Sequence, residues 1–86
     1  MQKSIHSPSY QLFLQLLRQT RRSLGVSQEE LAEKLGQTQS FISKCERGER
    51  RLDVIEVRYF CQALGIDFCE FMQALDQELG SSIEQS

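Results

Sequence analysis

The 86-residue chain lacks tryptophan and holds one proline and five glycines. So little turn chemistry speaks against a β sandwich or barrel, which needs Gly- and Pro-rich connections every few residues, and favours an all-α fold. No apolar run approaches the roughly 18 residues of a membrane span. The N-terminus has one lysine, and the apolar residues after it are interrupted by Gln11 and Gln15, unlike a signal peptide. A cytoplasmic protein is therefore expected. Three cysteines, Cys45, Cys61 and Cys69, form no C-x-x-C pair. Cys45 and Cys61, with Cys69 as a further candidate, are expected to face a helical core as small apolar groups. The single histidine, His6, lies in a polar stretch without a second ligand or base. With no metal-ligand cluster, glycine-rich phosphate loop or nucleophile–base pair in the pattern, neither an enzyme nor a bound cofactor is expected.

What is present fits one small domain spanning 1–86, with a core at about 8–79 and polar termini at 1–7 and 80–86. The net charge of −2 conceals an asymmetry. Residues 1–51 hold nine Lys/Arg against five Asp/Glu, whereas residues 52–86 hold one against seven. A basic half followed by an acidic half has the polarity of a module that presents one face to a polyanion.

Five helices can be read along the chain. Ser7-Pro8 is a cap followed by proline at the first helical position, and the helix should run to Leu24 and end at Gly25. Tyr10, Phe13, Leu14, Leu17 and Leu24 form its apolar stripe, while Leu12 and Leu16 fall partly off it, toward another segment or a second subunit. Arg18, Arg21 and Arg22 gather near its C-terminus, where cations suit the helix dipole. Ser27 and Glu30 make a capping box, with Val26 and Leu31 as a hydrophobic staple. Leu31, Ala32 and Leu35 face inward, and Gly36 ends the second helix. Thr38 caps the third. Ile42 and Cys45 point inward from it, and Gln39, Ser40, Ser43 and Lys44 point out, until Gly48 stops it. Asp53 and Glu56 cap the fourth helix, with Leu52 and Val57 as staple; Val57, Phe60, Cys61 and Leu64 form its inner face and Gly65 its end. Asp67 and Glu70 open the fifth. Along it Phe68, Phe71, Met72, Leu75 and Leu79 recur at i, i+3, i+4, i+7 and i+11. Five large apolar groups exceed what a closing helix needs, so this stripe is expected to serve in part as a partner surface.

The outer face of the third helix carries an amide, two hydroxyls and an ammonium, with no acid before Glu46. Amides can pair bidentately with adenine, and lysine reaches guanine or phosphate. Ser27, Gln28, Leu31, Ala32, Gly36, Ser40, Ser43, Glu46 and Gly48 fall in the pattern S-Q-x-x-L-A-x-x-x-G…S-x-x-S-x-x-E-x-G. The stretch from Leu17 to Ile66 resembles the helix-turn-helix of the Cro/phage-repressor (XRE) family, departing from it at Gln37, where an apolar residue is usual.

That resemblance implies a five-helix lambda-repressor-like domain that regulates transcription by binding operators in double-stranded DNA as a two-fold homodimer, with the second and third helices as the motif. Carried over by position, Gln39, Ser40, Ser43 and Lys44 would face base edges, and Phe41 a thymine methyl. Gln28 would touch a phosphate and brace Gln39. Arg21 and Glu46 occupy places that pair in some relatives. The loop arginines Arg50 and Arg51, with Arg18 and Arg22, are expected at phosphates. Phe68, Phe71, Met72, Leu75 and Leu79 are expected at the dimer interface. Restriction-modification controller proteins share this short form. An alternative from another class is an antitoxin-like or adaptor module whose acidic C-terminal half binds another protein.

Overall fold

A computed structural model describes residues 7–83 of the chain. The expectations for residues 1–6, including His6, and for residues 84–86 lie outside this range. Its five helices are α1 (Pro8–Ser23), α2 (Gln28–Leu35), α3 (Gln39–Glu46), α4 (Val54–Leu64) and α5 (Phe68–Ile83).

Each helix begins where a side chain satisfies amides that the first turn leaves unpaired. Ser7 Oγ accepts from the Tyr10 N–H at 3.2 Å, and Thr38 Oγ1 from the Phe41 N–H at 3.1 Å. Ser27 and Glu30 exchange hydrogen bonds in a full capping box, as do Asp53 and Glu56. At α5, Asp67 Oδ1 accepts from the Glu70 N–H at 2.9 Å. The endings are equally local. At the α2–α3 turn, Gly36 is left-handed at φ 66°, and the Gln37 N–H reaches back to the Ala32 carbonyl at 2.9 Å. The carbonyls orphaned at the helix end are thereby paired. The loop between α1 and α2 and that between α4 and α5 close by the same pairing, which places an apolar residue, Val26 or Ile66, just beyond the glycine and against the core. At the α2–α3 turn that place belongs to Gln37, which is exposed. The departure from the family pattern thus falls on the surface.

The core joins all five helices through Phe13, Leu14, Leu17, Leu31, Ile42, Val57, Phe60, Leu64 and Phe71, with Leu52 entering from the α3–α4 loop. α1 packs on α3 and α5, α2 on α3 and α4, and α4 on α5. Tyr10 stacks at a tilt on Phe13, whose ring meets Phe71 edge-on at 6.3 Å. The Tyr10 hydroxyl also accepts from the Leu52 N–H at 2.9 Å, tying the first turn of α1 to the loop that leaves α3.

Several expectations need correction. Leu24 is not on the α1 stripe but caps the helix end and is 47% exposed. Cys45 and Cys61 are fully buried as expected, but Cys69 is exposed. α5 continues through Gly80 to Ile83, so the helix takes in the first part of the polar terminus. Phe71 is no partner surface: it is buried in the domain's own core. Phe68, Met72 and Leu75 also pack against that core, because α1 and α4 flank α5 on both sides of its stripe. The surplus apolar surface lies instead on α4, where Val54, Ile55 and Tyr59 are each more than half exposed. Among the described residues, no helix is long and apolar enough to cross a membrane.

Candidate nucleic-acid interface

The interface is built outward from a buried ion pair. Arg21 of α1 and Glu46, the last residue of α3, are only 6% and 2% exposed. The guanidinium donates through Nε to Oε2 at 2.6 Å and through Nη2 to Oε1 at 3.0 Å, the two-bonded fork that makes such pairs strong. A third donor, Nη1, meets the Val26 carbonyl at 2.8 Å, anchoring the chain where it turns into α2. The pair forms because Arg21 sits one turn from the end of α1 and its long side chain reaches the end of α3. Among the described residues no buried side-chain nitrogen or oxygen lacks a partner.

From Glu46 the order runs to the surface. Gln28, the first residue of α2, donates from Nε2 to Glu46 Oε1 at 2.9 Å. A carboxylate only accepts, so the Gln28 amide must turn its NH2 inward and its Oε1 outward. That oxygen accepts from Nε2 of Gln39, the first residue of α3, at 3.4 Å. The bond is long, but its direction follows from the chain behind it. Gln39 then presents its own Oε1 and a remaining N–H side by side to solvent. An acceptor and a donor side by side are what the N7 and N6 edge of adenine requires.

Around this relay the expected residues fall into two groups. Gln39, Ser40 and Lys44 are exposed on the outer face of α3, and Ser43 between them is half-buried. Arg22 is exposed on α1. Other residues are turned elsewhere. Phe41 lies on the opposite flank of α3. It lines an open groove of about 630 Å³ with Leu35 of α2 and Tyr59, Phe60 and Ala63 of α4, and it lies beneath the Arg50 guanidinium at 4.9 Å. One position beyond Ser40 is about 100° around a helix, which carries Phe41 away from the face that Gln39 and Ser40 share. The expected thymine contact is therefore not supported.

Arg18 and Arg50 are likewise committed within the protein. Arg18 Nη1 donates to the Glu46 carbonyl at 2.7 Å, closing the C-terminus of α3. Arg50 pairs with Glu56 at 2.8 Å and donates to the Arg51 carbonyl. The partner carboxylate holds Arg50 further above its usual range and Glu56 below the usual carboxylate range. Arg51 lies over the Tyr10 ring at 4.8 Å. One residue absent from the expectations extends the outer face of α3: Arg47, which follows Ser40 by seven residues and Ser43 by four. Its Nη1 donates to Ser43 Oγ, and its Nε pairs with Glu49 at 2.7 Å. The i, i+3/i+4, i+7 spacing that reveals it was present in the sequence.

Burial pushes the Cys45 and Cys61 thiols up to about 11, so both stay protonated near neutral pH and act as packing groups. Among the described residues no cluster of His, Cys, Asp and Glu could hold a metal ion.

Two short helices joined by a glycine turn, the second with a polar outer face steadied from the first, define a helix-turn-helix domain. The family model described as a helix-turn-helix domain matches residues 12–72. An uncharacterized HTH-type transcriptional regulator of Methanothermobacter thermautotrophicus is 36% identical over 63 residues, which cover 73% of this chain and 91% of that one. The HTH-type regulator y4dJ of Sinorhizobium fredii is 37% identical over 57 residues, covering 66% and 74%. Among solved structures, an XRE-family like protein from Pseudomonas syringae pv. tomato superposes with a TM-score of 0.79 at 46% identity, covering 86% of this chain and 90% of that one. The clp gene regulator ClgR of C. glutamicum shares the fold, with a TM-score of 0.73 at 23% identity over 86% of this chain and 96% of its own. The chain belongs to the XRE/Cro family of helix-turn-helix transcriptional regulators, which bind DNA.

Proposed function

We propose that the protein binds a pseudo-palindromic operator in double-stranded DNA as a two-fold homodimer and reads an adenine in each half-site through Gln39. The observation that carries this reading is the directed hydrogen-bond chain Arg21–Glu46–Gln28–Gln39, which presets the orientation of the outermost amide. Ser40 and Lys44 flank it on the same face. Arg22, Arg51 and the backbone N–H of Gln28 at the start of α2, rather than its inward-turned NH2, contribute phosphate contacts at the margins. Replacing Gln39 by Ala is expected to cost about 1–3 kcal/mol per half-site, concentrated at one base position. Thermal stability should stay unchanged, because the side chain is exposed. Titrations against all four bases at each position of a selected site decide the matter. A uniform loss for every sequence would make Gln39 a backbone contact.

The dimer surface is assigned to the outer face of α4, because Ile55, Val54 and Tyr59 carry its exposed apolar area. A two-fold axis lets one such patch serve both subunits. In sedimentation at micromolar concentration, an Ile55→Glu/Tyr59→Glu variant should run as a monomer where the wild type runs as a dimer. A variant that stays dimeric would return the interface to the half-buried Met72, Leu75 and Leu79 of α5. A wild type that is monomeric and binds no DNA without a tight co-purifying protein would favour the adaptor reading.

A further inference from the structure

We infer that Arg47 is a second specificity-determining residue, reading a guanine through the outer end of its guanidinium while Glu49 holds it in place and tempers its charge; this rests on the DNA-binding reading above. Ser40, Ser43 and Lys44 lie on one face of α3, and Arg47, the C-cap of that helix, continues the same spacing in helical backbone geometry. At about 1.5 Å per residue, Arg47 lies roughly 10 Å along the axis from Ser40, far enough to meet a different base pair from Gln39.

The geometry of the side chain is the second ground. Arg47 is 55% exposed and Glu49 54%, yet the guanidinium is held on two sides, by Ser43 Oγ at Nη1 and by the Glu49 carboxylate at Nε. Two of its five N–H donors are thus engaged, and three remain on the terminal nitrogens. Two parallel donors suffice for the O6 and N7 atoms of guanine. A side chain already steadied on two sides loses less rotamer freedom on binding than an unanchored arginine would.

Charge separates this role from phosphate binding. A carboxylate 2.7 Å from Nε offsets the positive field that a phosphate would feel and itself repels the phosphate. Hydrogen-bond reading of a base depends on where the donors point, and the carboxylate improves that. Of the other cations near α3, Arg50 is paired with Glu56, Arg18 closes the helix C-terminus and Arg21 is buried. Lys44 lies close enough to Glu49 to help lower that carboxyl but is not the residue bonded to it, so of the two outer cations it is the better placed to serve a phosphate.

The test begins with selection of bound sites from a random DNA pool by the wild-type chain. Anisotropy titrations of Arg47→Ala, Arg47→Lys and Glu49→Gln follow, against all four bases at each half-site position and at several salt concentrations, with thermal unfolding to verify each fold. Expected is a guanine preference of roughly 5- to 100-fold at one position, distinct from the Gln39 position. It should collapse in Arg47→Ala and also in Arg47→Lys, which keeps the charge but not the fork. Glu49→Gln should weaken that preference while raising affinity for unselected DNA and steepening the salt dependence by up to about one unit. The inference is overturned if Arg47→Ala weakens all sequences alike and Arg47→Lys restores binding, the behaviour of a phosphate contact. It is also overturned if the selected site keeps every base preference in Arg47→Ala. A wild type that selects no sequence overturns the DNA reading itself, and this inference with it.

Discussion

At the scale of single residues, Glu46 is the group on which most depends. It receives Arg21 and Gln28 through its carboxylate and Arg18 through its carbonyl, so one side chain ties α1, α2 and α3 together. Glu46→Ala would leave a buried guanidinium uncompensated, and removal of one partner of such a pair typically costs about 3–5 kcal/mol. Urea denaturation should show that loss, with base preference at the Gln39 position blurred even at temperatures where the variant stays folded. Gly48 is the second sensitive position. It is left-handed at φ 81°, and a Cβ there would meet Leu14 Cδ1 at 3.2 Å and Gln11 Nε2 at 3.5 Å. Gly36 is also left-handed but has open space around it. Gly36→Ala should therefore cost only the backbone term of about 1–2 kcal/mol. Gly48→Ala should cost measurably more in the same denaturation experiment, because Leu14 is wholly buried and has little room to yield.

At the scale of helices, stability resides in the termini as much as in the stripes. Glu30 accepts from the backbone and hydroxyl side of Ser27, and these hydrogen bonds hold its carboxyl below the ordinary value of 4.5. Glu56 is lowered by Arg50 first and the Asp53 backbone second. A carboxylate with a depressed folded-state pKa contributes stability that is complete above the unfolded value and lost as pH falls through the folded one. Melting temperatures should accordingly drop as pH is lowered from about 5 toward 3, more steeply in the wild type than in a Glu30→Gln/Glu56→Gln variant. Equal slopes would place the acid sensitivity elsewhere. Ser27→Ala, which removes the cap itself, should cost about 1 kcal/mol at neutral pH.

At the scale of the whole molecule, the asymmetry of charge becomes an asymmetry of faces only in part. The basic half holds nine cations, but the structure spends Arg21, Arg18 and Arg50 on internal partners. The electrostatic footprint on DNA is thus smaller than the sequence count implies. Lys44→Ala should lower the slope of log affinity against log salt by about 0.9, the loss of one phosphate contact. Arg50→Ala should lower it by clearly less, since Glu56 already offsets that charge. A larger effect from Arg50 than from Lys44 would mean that the Glu56 pair opens on binding.

The sequence by itself determined the elements and the motif, because their causes are local. Capping boxes, glycine endings and apolar stripes act within one or two turns, so Ser27 with Glu30, Thr38, Asp53 with Glu56, Gly36 and Gly65 could be placed without knowing any contact across the fold. The outer face of α3 was legible for the same reason, through Gln39, Ser40 and Lys44. What only the tertiary structure decided is how each long or amphipathic side chain is used. Periodicity shows that Phe71 faces one side of α5, but not that α1 and α4 close over that side and leave Ile55 and Tyr59 of α4 bare. Composition counts Arg50 as a cation beside the recognition helix, but not that Glu56 comes within 2.8 Å of it across the loop. The orientation of the Gln39 amide depends on a residue 25 positions from Arg21, and only folding brings Glu46 there to turn Gln28. Such pairings are settled by distance in space, which one-dimensional spacing does not encode.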